Sequence, residues 1–153
     1  MMNKVIVVTG LVNQVYTIPE GSTAQMVASQ CGVTDPALYQ EFPESDFDPA
    51  CYNFLGAFTL SAGVVGFDLA KAKELAIGVV SAQSNETARK TLEGLSYDLY
   101  VAQCSLPAGE RIAKYQAAID ANNAIAVETE QREQAINSAK TIEKVNEIGR
   151  AHV

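Results

Sequence analysis

Tryptophan is missing from these 153 residues, and histidine occurs once, at His152, one position from the end. A Ser-His-Asp or Cys-His mechanism would have to bring its base back from a chain end, where segments are usually loose. Cysteine is scarce and odd in number. Cys31, Cys51 and Cys104 stand 20 and 53 residues apart, far from the CxxC clusters that hold zinc or exchange disulfides, so they read as small buried thiols. Basic residues are outnumbered eleven to eighteen, and a formal charge of -7 repels phosphate backbones, which excludes non-specific nucleic-acid binding. Long apolar runs are absent as well. Val5-Ile6-Val7-Val8 follows Lys4 but stops at Thr9-Gly10, well short of a signal-peptide core or a membrane span. The expectation is a protein made in a cytoplasm, with no membrane and no nucleic acid among its partners.

What is present changes character near residue 67. Residues 1–67 hold four of the five prolines, six of the ten glycines and eight of the eleven aromatic residues, with Lys4 as their one basic residue against six acids. Residues 68–153 are rich in Ala, Glu, Lys, Gln and Asn. The fold class expected is α+β: a small N-terminal β-hairpin/helix domain over 1–67, then a long antiparallel α-helical hairpin with a short closing helix over 68–153.

In the first part, the β-branched run Lys4 to Thr9 and the alternating Gln14 to Ile18 read as a hairpin turning at Gly10 to Asn13. Ser22 and Gln25 have capping-box spacing for a helix from about Thr23 to Cys31, with Met26, Val27 and Cys31 as its apolar face and Gly32 as its left-handed cap. Thr34-Asp35-Pro36 restarts a short helix to about Gln40, and Glu41 to Ala50, acidic and broken by proline, reads as a loop. A last hairpin pairs Ala57 to Leu60 with Val64 to Phe67 across Gly63.

Asp68 is placed to cap a helix of about 37 residues, with Leu69, Ala72, Ala76, Val79, Gln83, Ala88, Leu92, Leu95, Leu99, Ala102 and Leu106 at three- and four-residue steps. Gly78 and Gly94 inside it are candidates for a close crossing or a break. Beyond Pro107, a second helix from about Glu110 to Ala139 carries a narrow stripe of Ile112, Tyr115, Ile119, Ala126 and Ile136. The eleven-residue step from Ile125 to Ile136 argues against a strict left-handed coiled coil. Ile142, Val145 and Ile148 form one face of a closing helix from Thr141 to Ile148 that stops at Gly149.

Residue clusters with chemical potential are few. Glu41, Glu44, Asp46 and Asp48 lack the glycine and terminal glutamate of a calcium loop and read as an acidic surface. Gly63 and Gly66 precede Asp68 without the Lys-Ser/Thr of a phosphate loop. Phe54, Phe58 and Phe67 fit either a stacking platform or, more simply, a strand face packed on the first helix. Glu128, Glu130, Arg132 and Glu133 read as the wet face of a helix. No catalytic residue, metal or cofactor is called for.

Two stretches resemble known families. Tyr16-Thr-Ile-Pro-Glu-Gly-Ser-Thr-Ala, followed by Met26-Val-Ala, Gly32-Val-Thr and Leu38, resembles the strand, capped helix, Gly-Val-Ser/Thr, second helix rhythm of a LysM peptidoglycan-binding module. The strand Lys4 to Thr9 before it is closer to the opening of a β-grasp sulfur carrier, although the chain ends Ala151-His152-Val153 and not Gly-Gly. Phe54 to Ala76, reading Phe-Leu-Gly-Ala-Phe-Thr-Leu-Ser-Ala-Gly-Val-Val-Gly-Phe-Asp-Leu-Ala-Lys-Ala-Lys-Glu-Leu-Ala, is similar to a strand-to-helix junction of small tail-region proteins of tailed bacteriophages. That resemblance implies a non-enzymatic virion part, tail or tail-fibre associated, or a tail-fibre assembly chaperone. Its partners would be other virion proteins or identical subunits. Leu95, Leu99, Tyr100, Tyr115 and Ile119 are the interface candidates, each equally readable as intramolecular core.

Overall fold

The computed structural model describes residues 2–10 and 13–150; the turn expected at Gly10 to Asn13 lies partly, and His152 wholly, outside them. The fold is α+β. Strand β1 (Asn3–Val8) pairs antiparallel with β2 (Asn13–Thr17) on one side and β3 (Tyr39–Pro43) on the other, giving the order β2-β1-β3. Ile6 lies opposite Val15 and Gln40, and Lys4 opposite Thr17 and Phe42. Alternation sends Val5 and Val7 to one face and Ile6 to the other, and all three are fully buried. An uninterrupted Val-Ile-Val-Val run suits a central strand covered on both faces.

The Val5 and Val7 face is covered by α1 (Ala24–Gln30) through Ala24, Val27 and Ala28, with Ile18 and Val33 closing the edges. Thr23, not Ser22, is the cap: its Oγ1 accepts the Met26 N–H at 3.3 Å. Met26 therefore points outward and is exposed, while Ala28 takes the inward place. Gly32 has φ +78°, and the Val33 N–H returns to the Ala28 carbonyl at 2.9 Å, the left-handed closure expected of it.

Strand β3 replaces what read as a short helix and a loop. The helical signal of Asp35-Pro36 is spent on one 3-10 turn, Pro36–Leu38, which the Asp35 carboxylate caps at the Ala37 N–H (2.9 Å). The open side of β1 then captures the chain as a strand. The second helix of the LysM-like rhythm is thus a single turn, followed by a strand that pairs with β1.

Two more 3-10 segments, Glu44–Asp46 and Pro49–Ala57, lead into the hairpin of β4 (Phe58–Ser61) and β5 (Val64–Phe67). Its two-residue turn, Ala62-Gly63, has φ of 50° and 76°, the paired positive angles that match the twist of a tight hairpin. Asp68 caps the outgoing helix as its position implied, accepting the Lys71 N–H at 3.1 Å.

Helix α2 (Leu69–Ser105) runs 37 residues without a break, and α3 (Ala108–Ser138) returns beside it. A Cβ added at Gly78 or Gly94 would meet nothing within 4 Å, so neither glycine marks a close crossing. Helix α4 (Ile142–Arg150) continues through Gly149 instead of stopping there.

The second core joins everything. Phe42, Phe47, Phe58 and Phe67 touch edge to face in a chain, with ring centroids 6.3, 5.1 and 5.3 Å apart. Around them close Ile6, Val15 and Phe54, then Ala72, Ala76 and Val80 of α2, Ile136 of α3, and Ile142 and Val145 of α4. The Phe54 and Phe58 face packs on these C-terminal helices, not on α1. Residue 67 marks a change of secondary structure, while the apolar packing runs straight across it. Of the three thiols, all free, only Cys51 is buried; Cys31 is half-buried and Cys104 is exposed.

Candidate protein-interaction surface

The hairpin of α2 and α3 has two parts. Its root, next to the head, is locked by a polar layer. Ser81 Oγ donates to Glu133 Oε1 at 2.9 Å, and the hydroxyls of Ser84 and Thr129 share a hydrogen at 2.5 Å. Arg132 Nη2 donates to Gln83 Oε1 (3.2 Å) and to the carbonyls of Ile148 and Gly149 (3.3 and 3.4 Å), tying the last turn of α4 to both long helices. A guanidinium there faces the negative end of a helix dipole. Its buried Nε has no hydrogen-bond partner. Arg132 and Glu133 are therefore seam residues, in place of the wet face that the charge run implied.

Past the root, burial nearly ends. Among the described residues between Ser81 and Ala135, Ala118 alone is buried. Partner numbers across the seam add up to 213 to 215, and the tip falls at Leu106-Pro107, so the register is constant along the arm. Eighteen residues make five full helical turns. Leu99 thus lies in the same row as Ser81, and Tyr115 in the same row as Glu133. Because Ser81 bonds Glu133 on one edge of the seam, the helical step places Leu99 and Tyr115 on that same edge, at one level.

Leu95 and Ile119 lie at one level, one turn closer to the root. Leu92 lies within about 20° of the Ser81 row, and Ile112 extends the row of Tyr115 and Ile119 toward the tip, by the 100° step of an α-helix. Ser96 and Gln103 of α2 and Asn122 and Ala126 of α3 share this edge, and Arg111 lies within about 40° of Tyr115 on its seam side. Leu92 is 49% exposed, Ile112 68%, Tyr115 45% and Ile119 53%, whereas Leu95 and Leu99 are half-buried between the helices. Four of the five interface candidates are brought together. Tyr100, 65% exposed, turns to the opposite side of α2. Leu92 and Ile112 are the members that reasoning from sequence left out, although both stood in its apolar series.

Charged residues occupy the outer flank. Arg89 bonds Glu86 (Nε to Oε2, 2.8 Å) and Glu93, and Lys90 reaches Glu86 at 3.4 Å. The Arg89 hydrogen bond, with the nearby Lys90, pulls the Glu86 carboxyl down to about 2 against opposing desolvation, and Arg89 is raised in turn. Residues 88–126 hold four acids (Glu93, Asp98, Glu110, Asp120) and four bases (Arg89, Lys90, Arg111, Lys114), so the distal arm is neutral.

Elsewhere the chemistry is thin. Three of the four acids of the 41–48 stretch are engaged structurally: Glu41 accepts from Asn3 (2.7 Å), Glu44 pairs with Lys4 (3.8 Å) and Asp48 caps Ala50 (2.9 Å). Burial, with Asp48 and Glu143 nearby, pushes the Cys51 thiol up to about 11, so it is not a nucleophile near neutral pH. A cavity of about 220 Å³ lies between Asn53, Phe54, Ala76, Val79, Asn146, Gly149 and Arg150, lined mainly by apolar atoms. Among the described residues no three His, Cys, Asp or Glu side chains are grouped to hold a metal ion, and no helix is long and apolar enough to cross a membrane. No family model, curated protein or solved structure matches the chain.

Proposed function

We propose that this chain is a non-enzymatic structural protein that acts through protein contacts, its head and hairpin root forming a rigid base and its distal arm offering this apolar edge to other proteins. The observation that supports this most directly is the exposure of Leu92, Ile112, Tyr115 and Ile119 along one side of an arm that buries almost nothing of its own. Apolar surface left in this pattern gains about 25 cal/mol per Å² when covered, before ordering costs.

The tail-region resemblance of Phe54 to Ala76 supplies the setting: a virion part of a tailed bacteriophage, tail or tail-fibre associated. Mass spectrometry of gradient-purified particles of the encoding phage tests this. The chain should appear in constant ratio to known tail proteins. Its absence from particles, together with a fibre defect when the gene is deleted, would make it an assembly chaperone. A gene that lies in no phage or prophage would sink both. The peptidoglycan-binding reading loses support from the 3-10 turn at Pro36–Leu38, and sedimentation of the protein with insoluble peptidoglycan would restore it.

A further inference from the structure

We infer that the cavity beside the hairpin root binds a small carboxylate that carries an apolar body, with Arg150 at its mouth; neither the distal arm nor the proposed function enters into this. Three elements remote in sequence enclose the cavity: the 3-10 segment Pro49–Ala57, α2 and α4. Phe54 leaves helical angles there, with φ -132° and ψ 59°, and is buried. With Ala76, also buried, it forms the floor, and the partly exposed Val79 forms a side wall. On the α4 side Gly149 brings no side chain, and a Cβ there would meet nothing within 4 Å. The space amounts to about 220 Å³. An apolar cavity of about 150 Å³ takes up benzene, so a six-carbon body fits here.

The polar groups at the mouth select what that body carries. Asn53 Nδ2 donates to Asn146 Oδ1 at 2.9 Å, and Asn146 Nδ2 to the Ala50 carbonyl at 2.7 Å, so each amide keeps a second N–H to offer. The Arg150 guanidinium has no hydrogen bond or ion pair among the described residues. A free guanidinium with spare amide hydrogens makes the mouth rich in donors, and a carboxylate, which only accepts, is its complement. The surrounding charge agrees. Arg132 already meets the negative end of α4 at the Ile148 and Gly149 carbonyls, and Glu147 is paired with Lys144 at 2.8 Å. Glu143, the other acid of α4, stands about 10 Å along the helix from Arg150, a separation at which salt screens exposed charges. A cationic ligand would meet like charge at Arg150, and a neutral one would leave the guanidinium to water. The cavity is open on one side, so a dissociation constant on the order of 1 mM is expected.

Amide NMR of the isotope-labelled full chain, titrated with hexanoate at constant ionic strength, is the test. Signals of Phe54, Ala76, Val79 and Gly149 should shift together and saturate, while those of the three-stranded sheet and the distal arm stay in place. Acetate, which lacks the body, and hexanol, which lacks the charge, should each bind at least about tenfold more weakly. Arg150→Gln should weaken hexanoate about tenfold and leave hexanol unchanged. Val79→Glu, which puts a like charge on the wall, should weaken hexanoate at least as much. Both side chains are exposed, so neither change should disturb the rest of the spectrum. N-acetylleucine separates two sources of this chemistry: tighter binding than hexanoate assigns the cavity to the chain end of another protein, and weaker binding to a free acid. Shifts that stay linear in hexanoate, or that fall elsewhere in the chain, would overturn the proposal. So would equal affinities for hexanoate and hexanol, or an Arg150→Gln variant that binds hexanoate as wild type does.

Discussion

The hairpin's root and its distal arm are made of the same two helices and almost the same residue types, yet they are held in different ways. At the root, Ala72, Ala76, Val80 and Ile136 are sealed by a third helix and by the phenylalanine chain of the head. Along the arm, two helices have only each other, and a pair of cylinders can bury just one row of each. Leu95 and Leu99 are half-covered for that reason, and the next row is left outside. The difference teaches that apolar periodicity in a helix specifies a stripe to be covered, while the number of neighbouring elements decides whether the same chain covers it.

The sharpest way to break the contrast is Phe58→Ala. It removes the ring at the centre of the aromatic chain and should cost about 3–5 kcal/mol. Because the packing crosses residue 67, urea unfolding followed by tyrosine fluorescence and by helical dichroism should shift as one transition. Two separated transitions would show head and helices to be independent. Next in size is the comparison of Ile136→Ala with Leu95→Ala. The first, fully buried at the root, should cost about 2–5 kcal/mol, and the half-buried second clearly less. Equal losses would erase the distinction between root and arm.

Arg132→Met keeps most of the side chain's bulk and removes its bonds to Gln83 and to the end of α4. A loss of about 1–3 kcal/mol is expected, with faster amide exchange confined to α4. Smaller still in stability, but easy to read, is thiol reactivity. Iodoacetamide near neutral pH should modify Cys104 on the arm first and Cys51 in the core last. The folded-state pKa of Cys51 is raised, so its contribution to stability is complete below the thiol's ordinary range and is lost as pH rises through about 11. The smallest effect is at Glu86. Its depressed pKa means a contribution present above the ordinary carboxylate range and lost as pH falls through about 2, and full exposure keeps that contribution slight. Carbon-detected titration should find its midpoint near 2, and Arg89→Gln should return it to the ordinary carboxylate range.

Much of the fold was legible from local signals. The two hairpins, the Gly32 closure, the Asp68 cap and the length of α2 rest on interactions within a few residues, and periodicity and turn chemistry report those well, while the continuity of α2 through Gly78 and Gly94 was left open. Strand β3 was not legible, because its reason is the open side of β1, more than thirty residues away. The same holds for Arg132 and Glu133. Their charges fit a wet surface, and only the arrival of α4 and of Ser81 makes a partly buried polar layer of them. Within the arm, the series Ile112, Tyr115, Ile119 was read correctly as one stripe. Which row faces α2 depended on Ala118 and Ala121, whose small side chains let the helices approach and leave the larger row outside.

The clasp at Arg132 has a mechanical consequence. From Ser81 to the tip the arm extends about 36 Å at the rise of an α-helix. A tilt of about 5° at the clasp would sweep the tip sideways by about 3 Å, about half the roughly 6 Å rise between residues four apart on its edge. One guanidinium held by three acceptors thus sets the aim of a lever, and small adjustments at the root become displacements of ångströms at the far end.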